Sequence, residues 1–358
     1  MLKNVYDVVV VGAGPTGCKT AELAAKAGLS VLLLEEHEEI GRPIQCTGIV
    51  SHRILSLSGL GKEIVVNTVY KARIYAKNSF LELTSPRPVY VIDREKLDKS
   101  LAKRAAREGV EIITGSNFIG FEREKLLKIK ASSGTYKAKM IVGADGPNSI
   151  VARAAGIEQT RDYLIGYQET VKADFSSNIV ELWFSKSIAP EFFAWVVPES
   201  RRWARVGLAT KTKAAENFNA FLKKRFGFVY ERKDALAGII RYGIIKTSVA
   251  DNILLVGDAA SHVKPYSGGG IIYGLIAARY AAQACVSAVE KNRFDKTFLK
   301  KVYDERWRKH LLPGIKKGLF LHRLIHNMPE DVLALLLNVS RPLTPFLNKL
   351  DMDLLFTR

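Results

Sequence analysis

The chain has 358 residues, which is enough for about two domains and at least one large hydrophobic core. With 47% hydrophobic and 25% charged residues, its composition is that of a globular protein and excludes collagen-like, low-complexity and disulfide-scaffold chains. The 54 Lys and Arg residues exceed the 36 Asp and Glu residues, which gives a formal net charge of +18. This charge favours polyanionic partners, and nucleic acid, an acidic membrane and phosphorylated substrates are all candidates at this point.

The cysteines and histidines predict neither disulfides nor a metal site. Cys18, Cys46 and Cys285 are far apart and odd in number, and they form no C-x-x-C pair. The six histidines contain no H-E-x-x-H motif. The chain passes from Met1 almost directly into an apolar segment, without the charged region and cleavage site of an export signal. We therefore expect a cytoplasmic protein in a reducing compartment.

The first elements in the chain predict a parallel α/β unit. Residues 5–11 form a β-branched run typical of a strand, residues 16–26 have helical periodicity, and residues 31–34 form a second apolar run. A strand, a helix and a strand within about thirty residues form a right-handed parallel crossover. The sheet is therefore predicted to begin as a Rossmann-like structure.

The middle of the chain alternates between helical and strand patterns. Residues 94–109 predict an amphipathic helix with Leu97, Leu101 and Ala105 on its buried face. The strands expected after it lie at 110–114, in a hairpin formed by 121–131 and 135–139, and at 140–144.

The remaining elements predict a second sheet and a helical end. Aromatic and alternating stretches over residues 161–246 indicate a mostly antiparallel sheet. A short strand at 253–256 precedes a helix over 269–290, in which Arg279 and several small residues favour a buried helix over a membrane span. Residues 291–358 are helical by periodicity.

A glycine-rich motif between the first strand and the first helix predicts a dinucleotide site. Residues 12–17 read Gly12-Ala13-Gly14-Pro15-Thr16-Gly17, and Glu35 ends the second strand. The glycines permit a tight turn and the close approach of a pyrophosphate to the positive end of the helix, while a carboxylate accepts hydrogen bonds from ribose hydroxyls. An ordinary tight turn would explain the glycines alone, but the flanking elements and the acid favour a dinucleotide.

Two later motifs resemble those of a flavoprotein family. Asp145-Gly146 and Gly257-Asp258 each follow a predicted strand. With the first motif, they are similar, in order, to the three FAD-binding motifs of flavoproteins built on the p-hydroxybenzoate hydroxylase fold. The resemblance implies FAD as the cofactor, with Asp258 at the ribityl and pyrophosphate region and Asp145-Gly146 near the FAD.

Three consecutive glycines open the helix that follows these motifs. Gly268, Gly269 and Gly270 precede Ile271 and leave the backbone N–H groups of the helix N-terminus unscreened, which suits an anion. In the implied fold these donors face the N1 and O2 edge of the flavin and would stabilise the negative charge of the reduced ring. Flexible loop packing is the alternative explanation.

Two segments resemble one subgroup of this fold, the geranylgeranyl reductase family that includes archaeal digeranylgeranylglycerophospholipid reductases. Residues 41–48 (GRPIQCTG) are similar to the family's Cys-x-Gly loop. Residues 193–198 (FAWVVP) are similar to its aromatic-x-Trp-x-aromatic-Pro substrate motif, although Val197 stands where the family has Tyr or Phe. The resemblance extends over residues 5–320.

The resemblance gives individual side chains expected roles. Cys46, beside the flavin, is a candidate proton donor or substrate-positioning group, and an inert thiol is the alternative. Arg42 is a candidate partner of an FAD phosphate, with a surface ion pair as the alternative. Phe193, Trp195 and Pro198 are predicted to line an apolar slot for an isoprenoid chain, although aromatic residues on a strand also form ordinary core.

The predicted fold class is α/β, or α+β overall, with a Rossmann-like FAD-binding domain, an inserted antiparallel substrate sheet and a C-terminal helical segment. The predicted boundaries are 1–65, 88–160 and 247–290 for the FAD-binding domain, 66–87 and 161–246 for the substrate domain, and 291–358 for the basic helical segment.

Nearly half of the net charge is concentrated near the C-terminus. Residues 291–325 contain eleven Lys or Arg and three Asp or Glu, a net charge of +8. Phe298, Trp307 and Leu311 recur there at helical spacing, which predicts a basic amphipathic helix on an anionic membrane surface. A solvated helix packed on the FAD-binding domain is the alternative. The chain shows none of the usual RNA or DNA modules, so a nucleic-acid partner is not predicted.

These observations predict an FAD-dependent reductase that saturates the isoprenoid double bonds of ether-linked membrane lipid precursors. Two other functions stay open at this stage: an FAD-dependent monooxygenase or epoxidase, and a non-catalytic FAD-bearing membrane adaptor or electron carrier. The external electron donor is equally open among ferredoxin, nicotinamide and deazaflavin.

Overall fold

The computed structural model describes residues 5–227 and 231–353, which form two eight-stranded sheets and their surrounding helices. The strands are β1 (Tyr6–Val11), β2 (Val31–Leu34), β3 (Ile49–Ser51), β4 (Val65–Ala76), β5 (Ser79–Ile92), β6 (Glu111–Ile113), β7 (Phe118–Arg123), β8 (Leu127–Ala131), β9 (Gly134–Gly143), β10 (Tyr163–Lys172), β11 (Ile179–Phe184), β12 (Ala194–Pro198), β13 (Trp203–Thr210), β14 (Arg232–Arg241), β15 (Val249–Ala250) and β16 (Ile253–Leu255). The helices are α1 (Pro15–Lys26), α2 (Arg53–Ser58), α3 (Arg94–Arg107), α4 (Ile150–Ala154), α5 (Ala214–Phe226), α6 (Ile271–Glu290), α7 (Lys296–Leu299), α8 (Glu305–Asn327), α9 (Glu330–Val339) and α10 (Thr344–Leu347).

The first sheet has the order β15-β16-β9-β1-β2-β6, and β1 is parallel to both β2 and β9. Strands β16 and β6 continue the parallel arrangement on either side. The carboxyl ends of β1, β2, β9 and β16 therefore meet at one edge, where ligands bind in sheets of this kind. The predicted parallel crossover is confirmed.

The predicted hairpin in this sheet needs correction. The single strand β9 includes both residues 135–139 and residues 140–143, so its first half pairs with β8 and its second half with β1. The predicted strand over 121–131 is instead divided between β7 and β8, which pair antiparallel with each other. Periodicity missed both features because a three-residue turn without Gly or Pro and a change of pairing partner within one strand leave little trace in the pattern.

The second sheet has the order β14-β10-β13-β12-β11-β4-β5-β3. Its neighbouring strands are antiparallel except for β11 and β4, which are parallel. The mostly antiparallel sheet expected over 161–246 is thus present, and β3, β4 and β5 extend it. The predicted domain boundaries stay a prediction.

Helix α6 packs against α1 in the largest hydrophobic core of the described chain. It is long and apolar enough to cross a membrane, but 67% of its most apolar stretch is buried inside the protein. The close approach of the two helices needs glycine, because a Cβ at Gly274 would lie 2.3 Å from Thr16 Oγ1. This burial agrees with the predicted core helix.

The basic segment after α6 also packs into this core. Phe298, Trp307 and Leu311 are buried, and Trp307 Nε1 donates a hydrogen bond of 2.9 Å to Ser248 Oγ. Tyr303 is fully buried as well and donates to the carbonyl of Leu255 at 2.6 Å. These side chains lie in the core and cannot contact a membrane, which favours for residues 298–311 the alternative of a helix packed on the fold.

Candidate active site

A cavity of about 1140 Å³ is lined by residues of both sheets and of the C-terminal segment. The predicted site residues that line it are Gly12, Gly14, Glu35, Arg42, Cys46, Asp145, Gly146, Phe193, Trp195, Asp258, Gly268 and Gly269. The predicted residues that lie behind the cavity wall are Pro15, Thr16, Gly17, Pro198, Gly257, Gly270 and Ile271.

The three glycines of the first motif have different surroundings. Gly12 has a φ of +99°, and a Cβ there would lie 2.5 Å from the carbonyl oxygen of Ala144. A Cβ at Gly17 would lie only 1.9 Å from the carbonyl oxygen of Gly12. By contrast, a Cβ at Gly14 would meet no heavy atom within 4 Å. Two glycines are therefore required by the turn itself, while Gly14 faces the open cavity at the N-terminus of α1.

Glu35 lies at the end of β2 and is held by the neighbouring backbone. Its Oε2 accepts a hydrogen bond of 2.6 Å from the N–H of Ala13, and its Oε1 is 2.7 Å from His37 Nδ1. Oε1 also accepts a hydrogen bond of 3.1 Å from the N–H of His37, so these contacts orient the group and leave the second lone pair of Oε2 able to accept from a ribose.

Asp145 caps a helix at the edge of the same cavity. Its two oxygens accept hydrogen bonds from Ser149 Oγ at 2.6 Å and from the N–H of Val151 at 3.0 Å. Burial raises the pKa of this carboxyl. Asp145 therefore fixes the turn between β9 and α4, which agrees with the supporting role expected for it.

Asp258 and the triple glycine form one packed unit. A Cβ at Gly270 would lie 2.3 Å from Asp258 Oδ1, and Gly268 has a φ of +69°. Burial raises the pKa of Asp258 to about 6, with Arg94 opposing the shift. A Cβ at Gly269 would lie 3.0 Å from Cε of Lys264, so a buried cation lies against the loop where an anionic ligand edge is expected.

Arg42 makes the ion pair that was considered as the alternative. Its Nη2 lies 2.8 Å from Glu95 Oε2, and 59% of its side chain is exposed. Arg42 lines the cavity, but it forms a surface ion pair in this structure.

Cys46 lies beside a buried arginine that the sequence analysis did not identify. The N–H of Gly48 is 3.3 Å from Cys46 Sγ, and Arg94 interacts with the same sulfur. Arg94 also pairs with Asp98 at 3.0 Å. Burial lowers the pKa of Arg94, but Asp98 and Cys46 outweigh this effect and raise it overall. Arg94 is therefore a permanent positive charge beside the sulfur.

Gln168 joins the two segments on which the substrate prediction depends. Its Oε1 accepts hydrogen bonds from Thr47 Oγ1 at 2.6 Å and from Trp195 Nε1 at 3.0 Å. The indole packs on Gly207, where a Cβ would lie 2.7 Å from Trp195 Cε2. Sequence reasoning missed Gln168 because a lone glutamine in a strand carries no motif.

The aromatic part of the cavity extends beyond Trp195. The rings of Phe192 and Phe193 stack with centroids 4.1 Å apart. His322 and His326, whose H-x-x-x-H spacing the sequence analysis overlooked, have ring centroids 4.6 Å apart in the same cluster. Burial lowers the pKa of His326 to about 3, so this ring is neutral at physiological pH.

Pro198 lies outside the cavity, which corrects its predicted role in substrate binding. Its carbonyl oxygen accepts a hydrogen bond of 2.8 Å from Asn67 Nδ2, so it anchors the end of β12 to β4. Val197, where the resembled family has an aromatic residue, does line the cavity.

Comparison with known proteins agrees with this geometry. The family model described as "FAD binding domain" matches residues 5–306. Digeranylgeranylglycerophospholipid reductase 2 of Methanothermobacter thermautotrophicus is 33% identical over 354 residues, with 93% of this chain and 91% of the relative covered. The chain belongs to this reductase family. The family member from Methanocaldococcus jannaschii is 30% identical over 356 residues, with 93% and 90% covered.

A solved structure supports the family's fold over most of the chain. The crystal structure of a geranylgeranyl bacteriochlorophyll reductase-like protein from Thermoplasma acidophilum has a TM-score of 0.87 to this protein at 26% identity. The match covers 94% of this chain and 92% of the other. The reductase fold predicted from three short motifs is therefore shown.

The residues present fit FAD, the cofactor of this reductase family. The turn at Gly12 and Gly17 leaves open space before the N-terminus of α1, and Glu35 borders it. Asp258, Gly268 and Gly269 line the continuation of the same cavity. A dinucleotide needs backbone N–H groups for its phosphates and an acid for its ribose, and both are present.

The C-terminal segment forms a wall of the reductase cavity that no motif predicted. Leu347, Leu350 and Met352 line it. Lys264 Nζ donates to Asp353 Oδ1 at 2.8 Å, and both groups are almost completely buried. Burial alone would raise the pKa of Asp353, but Lys264, Ser51 and Arg53 hold it below the usual value.

Proposed function

We propose that this protein is an FAD-dependent reductase that saturates the double bonds of geranylgeranyl chains in an ether-linked glycerophospholipid precursor. One observation carries this proposal: a single cavity joins the predicted FAD residues Gly14 and Asp258 to an apolar slot at Phe193 and Trp195. An isoprenoid chain in that slot reaches the cofactor through an apolar space, which protects a reactive reduced cofactor from water. The names of the curated relatives support this substrate class.

When bound in reduced form, FAD would supply the hydride for one carbon of the double bond, so the protein must supply a proton to the other. Cys46 is the proposed donor of this proton, because it lines the cavity and carries an exchangeable hydrogen. Arg94, which also lines the cavity, would place a positive charge beside the sulfur when the proton leaves. The hydride and the proton together convert the alkene to an alkane.

The decisive experiment is mass spectrometry of lipids after anaerobic incubation with chemically reduced protein. We expect each reduced double bond to add two mass units. An unchanged lipid mass, or a product that forms only with oxygen and carries an added oxygen atom, would contradict the proposal and favour a monooxygenase.

The role of Cys46 has its own test. We expect Cys46→Ala to keep its FAD but to reoxidise roughly 100-fold more slowly when an unsaturated lipid is added to the reduced protein, because general acid catalysis contributes about that factor. Cys285→Ala, at a buried position on α6, serves as the matched control. Equal reoxidation rates of Cys46→Ala and the wild type would remove Cys46 from the mechanism.

The working location and the electron donor are part of the same proposal. A glycerophospholipid substrate resides in a membrane, so we place the enzyme in the cytoplasm at the inner membrane surface. To identify the donor, ferredoxin, a nicotinamide and a deazaflavin are compared at equal concentration under anaerobic conditions. The physiological donor is the one that reduces the bound flavin, which is measured as a loss of the absorbance of its oxidised form.

A further inference from the structure

Exposed apolar side chains collect in the C-terminal helices. Among the residues that the structure describes, seventeen large apolar side chains are exposed, and nine of them lie between residues 320 and 350. We call these nine the C-terminal apolar surface: Phe320, Leu324, Val332, Leu335, Leu336, Val339, Leu343, Phe346 and Leu350, which are between 40% and 70% exposed. Soluble monomers rarely concentrate apolar groups in this way, so the surface indicates a partner.

Helix α9 is apolar on two opposite sides. Its inner side packs Ala334 and Leu337 on Ala76 and Leu81 of the β4–β5 hairpin. Its outer side presents four residues of the C-terminal apolar surface at positions 332, 335, 336 and 339, the spacing of a single helical face. The inner contacts already attach α9 to the fold, so packing among the described residues, 5–227 and 231–353, does not explain the outer stripe.

The C-terminal apolar surface is continuous with the cavity. Leu321 and Ile325 of α8 line the cavity, and each directly follows an exposed member of the surface, Phe320 or Leu324. Leu350 belongs to both, because it is 66% exposed and also lines the cavity. An apolar molecule on this surface therefore lies at an entrance to the candidate active site.

Basic side chains lie among the apolar ones. The five Lys and Arg residues between 316 and 350 outnumber the two acids, which gives a local net charge of +3. Arg323 shares a shallow groove with Phe320 and Leu324, and Lys349 Nζ is 6.0 Å from the centre of the Phe346 ring. Apolar groups bordered by cations are suited to insertion between anionic lipid headgroups.

We propose that the C-terminal apolar surface docks on an anionic lipid bilayer and that the isoprenoid chain enters the cavity there, beside α8 and α10. The choice of a bilayer over a protein partner rests on the proposed function, because a membrane lipid can then pass from bilayer to cavity without crossing water. The C-terminal apolar surface is thus the proposed membrane contact, in place of the side chains between residues 291 and 311 that were expected to make it and are buried.

The test is flotation of the FAD-loaded protein with vesicles of phosphatidylglycerol and, separately, of phosphatidylcholine. We expect binding to phosphatidylglycerol that weakens with added salt, and at least tenfold weaker binding for Leu335→Asp/Phe346→Asp. The matched control is Ile119→Asp, since Ile119 is 63% exposed on β7, outside the C-terminal apolar surface. Its binding should equal that of the wild type.

Three results would overturn docking on a bilayer. The wild type could bind neither kind of vesicle, or the control variant could lose as much binding as the double variant. The third is that the wild type forms a dimer, the double variant is a monomer, and neither binds vesicles. Reduction of detergent-dispersed substrate separates this proposal from the proposed function. If the double variant reduces dispersed lipid normally but no longer binds vesicles, docking is supported. If the wild type binds vesicles through this surface but reduces no isoprenoid lipid, the proposed function fails and docking stands.

Discussion

The nucleotide side of the cavity and its C-terminal wall are built by different kinds of contact. On the nucleotide side, Gly12 and Gly17 touch backbone within a few residues or on the adjacent strand, and their lack of a side chain is the essential property. In the C-terminal wall, Lys264 pairs with Asp353, which is 89 residues away in the sequence, and Arg53 pairs with Asp351, which is 298 residues away. The first side depends on local backbone geometry and the second on long-range charge pairing.

This difference predicts how each side fails. A side chain added at Gly12 or Gly17 meets backbone that cannot move away, so we expect cofactor binding to be lost as a unit. A side chain removed from the C-terminal wall leaves a buried partner charge without compensation, so the cost is electrostatic and can be recovered by removing both charges.

The largest effect is expected for Gly17→Val. The added side chain would begin 1.9 Å from the carbonyl oxygen of Gly12, so we expect FAD affinity to fall by more than about 100-fold. The measurement is the flavin-to-protein ratio after gel filtration, with circular dichroism to report folding. The control Gly120→Ala should keep its FAD, because a Cβ there meets no atom within 4 Å. Equal flavin content in the two variants would contradict the assignment of the Gly12–Gly17 turn to FAD binding.

The next effect is expected in the C-terminal wall. Asp353→Leu leaves Lys264 buried without its partner and should lower the free energy of unfolding by about 3 kcal/mol or more. Lys264→Met should cost less, because Asp353 keeps its 2.9 Å ion pair with Arg53. The double variant should be closer to the wild type than Asp353→Leu alone. Urea unfolding of the four proteins gives the coupling energy. If the double variant loses the sum of the two single losses in unfolding free energy, the ion pair does not stabilise this wall.

A pH effect of intermediate size is expected at the nucleotide side. Burial lowers the pKa of His262 to about 3, so the folded protein keeps this ring neutral while the unfolded chain protonates it below about pH 6.5. Its contribution to stability is therefore complete above pH 6.5 and is lost toward pH 3, at about 1.4 kcal/mol per pH unit.

His262→Asn isolates this contribution. The N–H of Gly257 donates to His262 Nδ1 at 3.1 Å, and an asparagine oxygen can accept the same hydrogen bond without titrating. Urea unfolding between pH 7 and pH 5 should show a shallower pH dependence in this variant than in the wild type. Parallel curves would show that His262 does not titrate on unfolding in this range.

The smallest effect is expected between these two sides, where Gln168 joins the Cys46 loop to β12. Gln168→Met removes the acceptor shared by Thr47 and Trp195, and we expect the rate of lipid reduction to fall about tenfold with unchanged FAD content. Gln168→Glu keeps the acceptor and should recover most of the rate. A similar loss in both variants would indicate that the volume of the side chain, rather than its hydrogen bonds, is what matters.

Much of the nucleotide side could be predicted because its constraints are local. Gly12, Glu35, Asp145 and Asp258 each stand at the end of a short apolar strand, and parallel strands bring such ends to one edge. The same reasoning placed Cys46 and Trp195 at the cavity. It misplaced Pro198, because strand alternation does not show which face the last residue of β12 presents.

By itself, the sequence determined the fold class, the cofactor and the family, because glycine turns and strand ends impose the same local geometry in any chain with this order. Only the tertiary structure decided that Trp307 is core, that Arg94 lies beside Cys46, and that the C-terminal residues wall the cavity. Periodicity shows that a helix has an apolar face, but contacts between distant residues decide whether that face is buried or exposed. The basic helix and α9 differ in this respect: the first buries its apolar face in the core, and the second exposes one beside the entrance to the cavity.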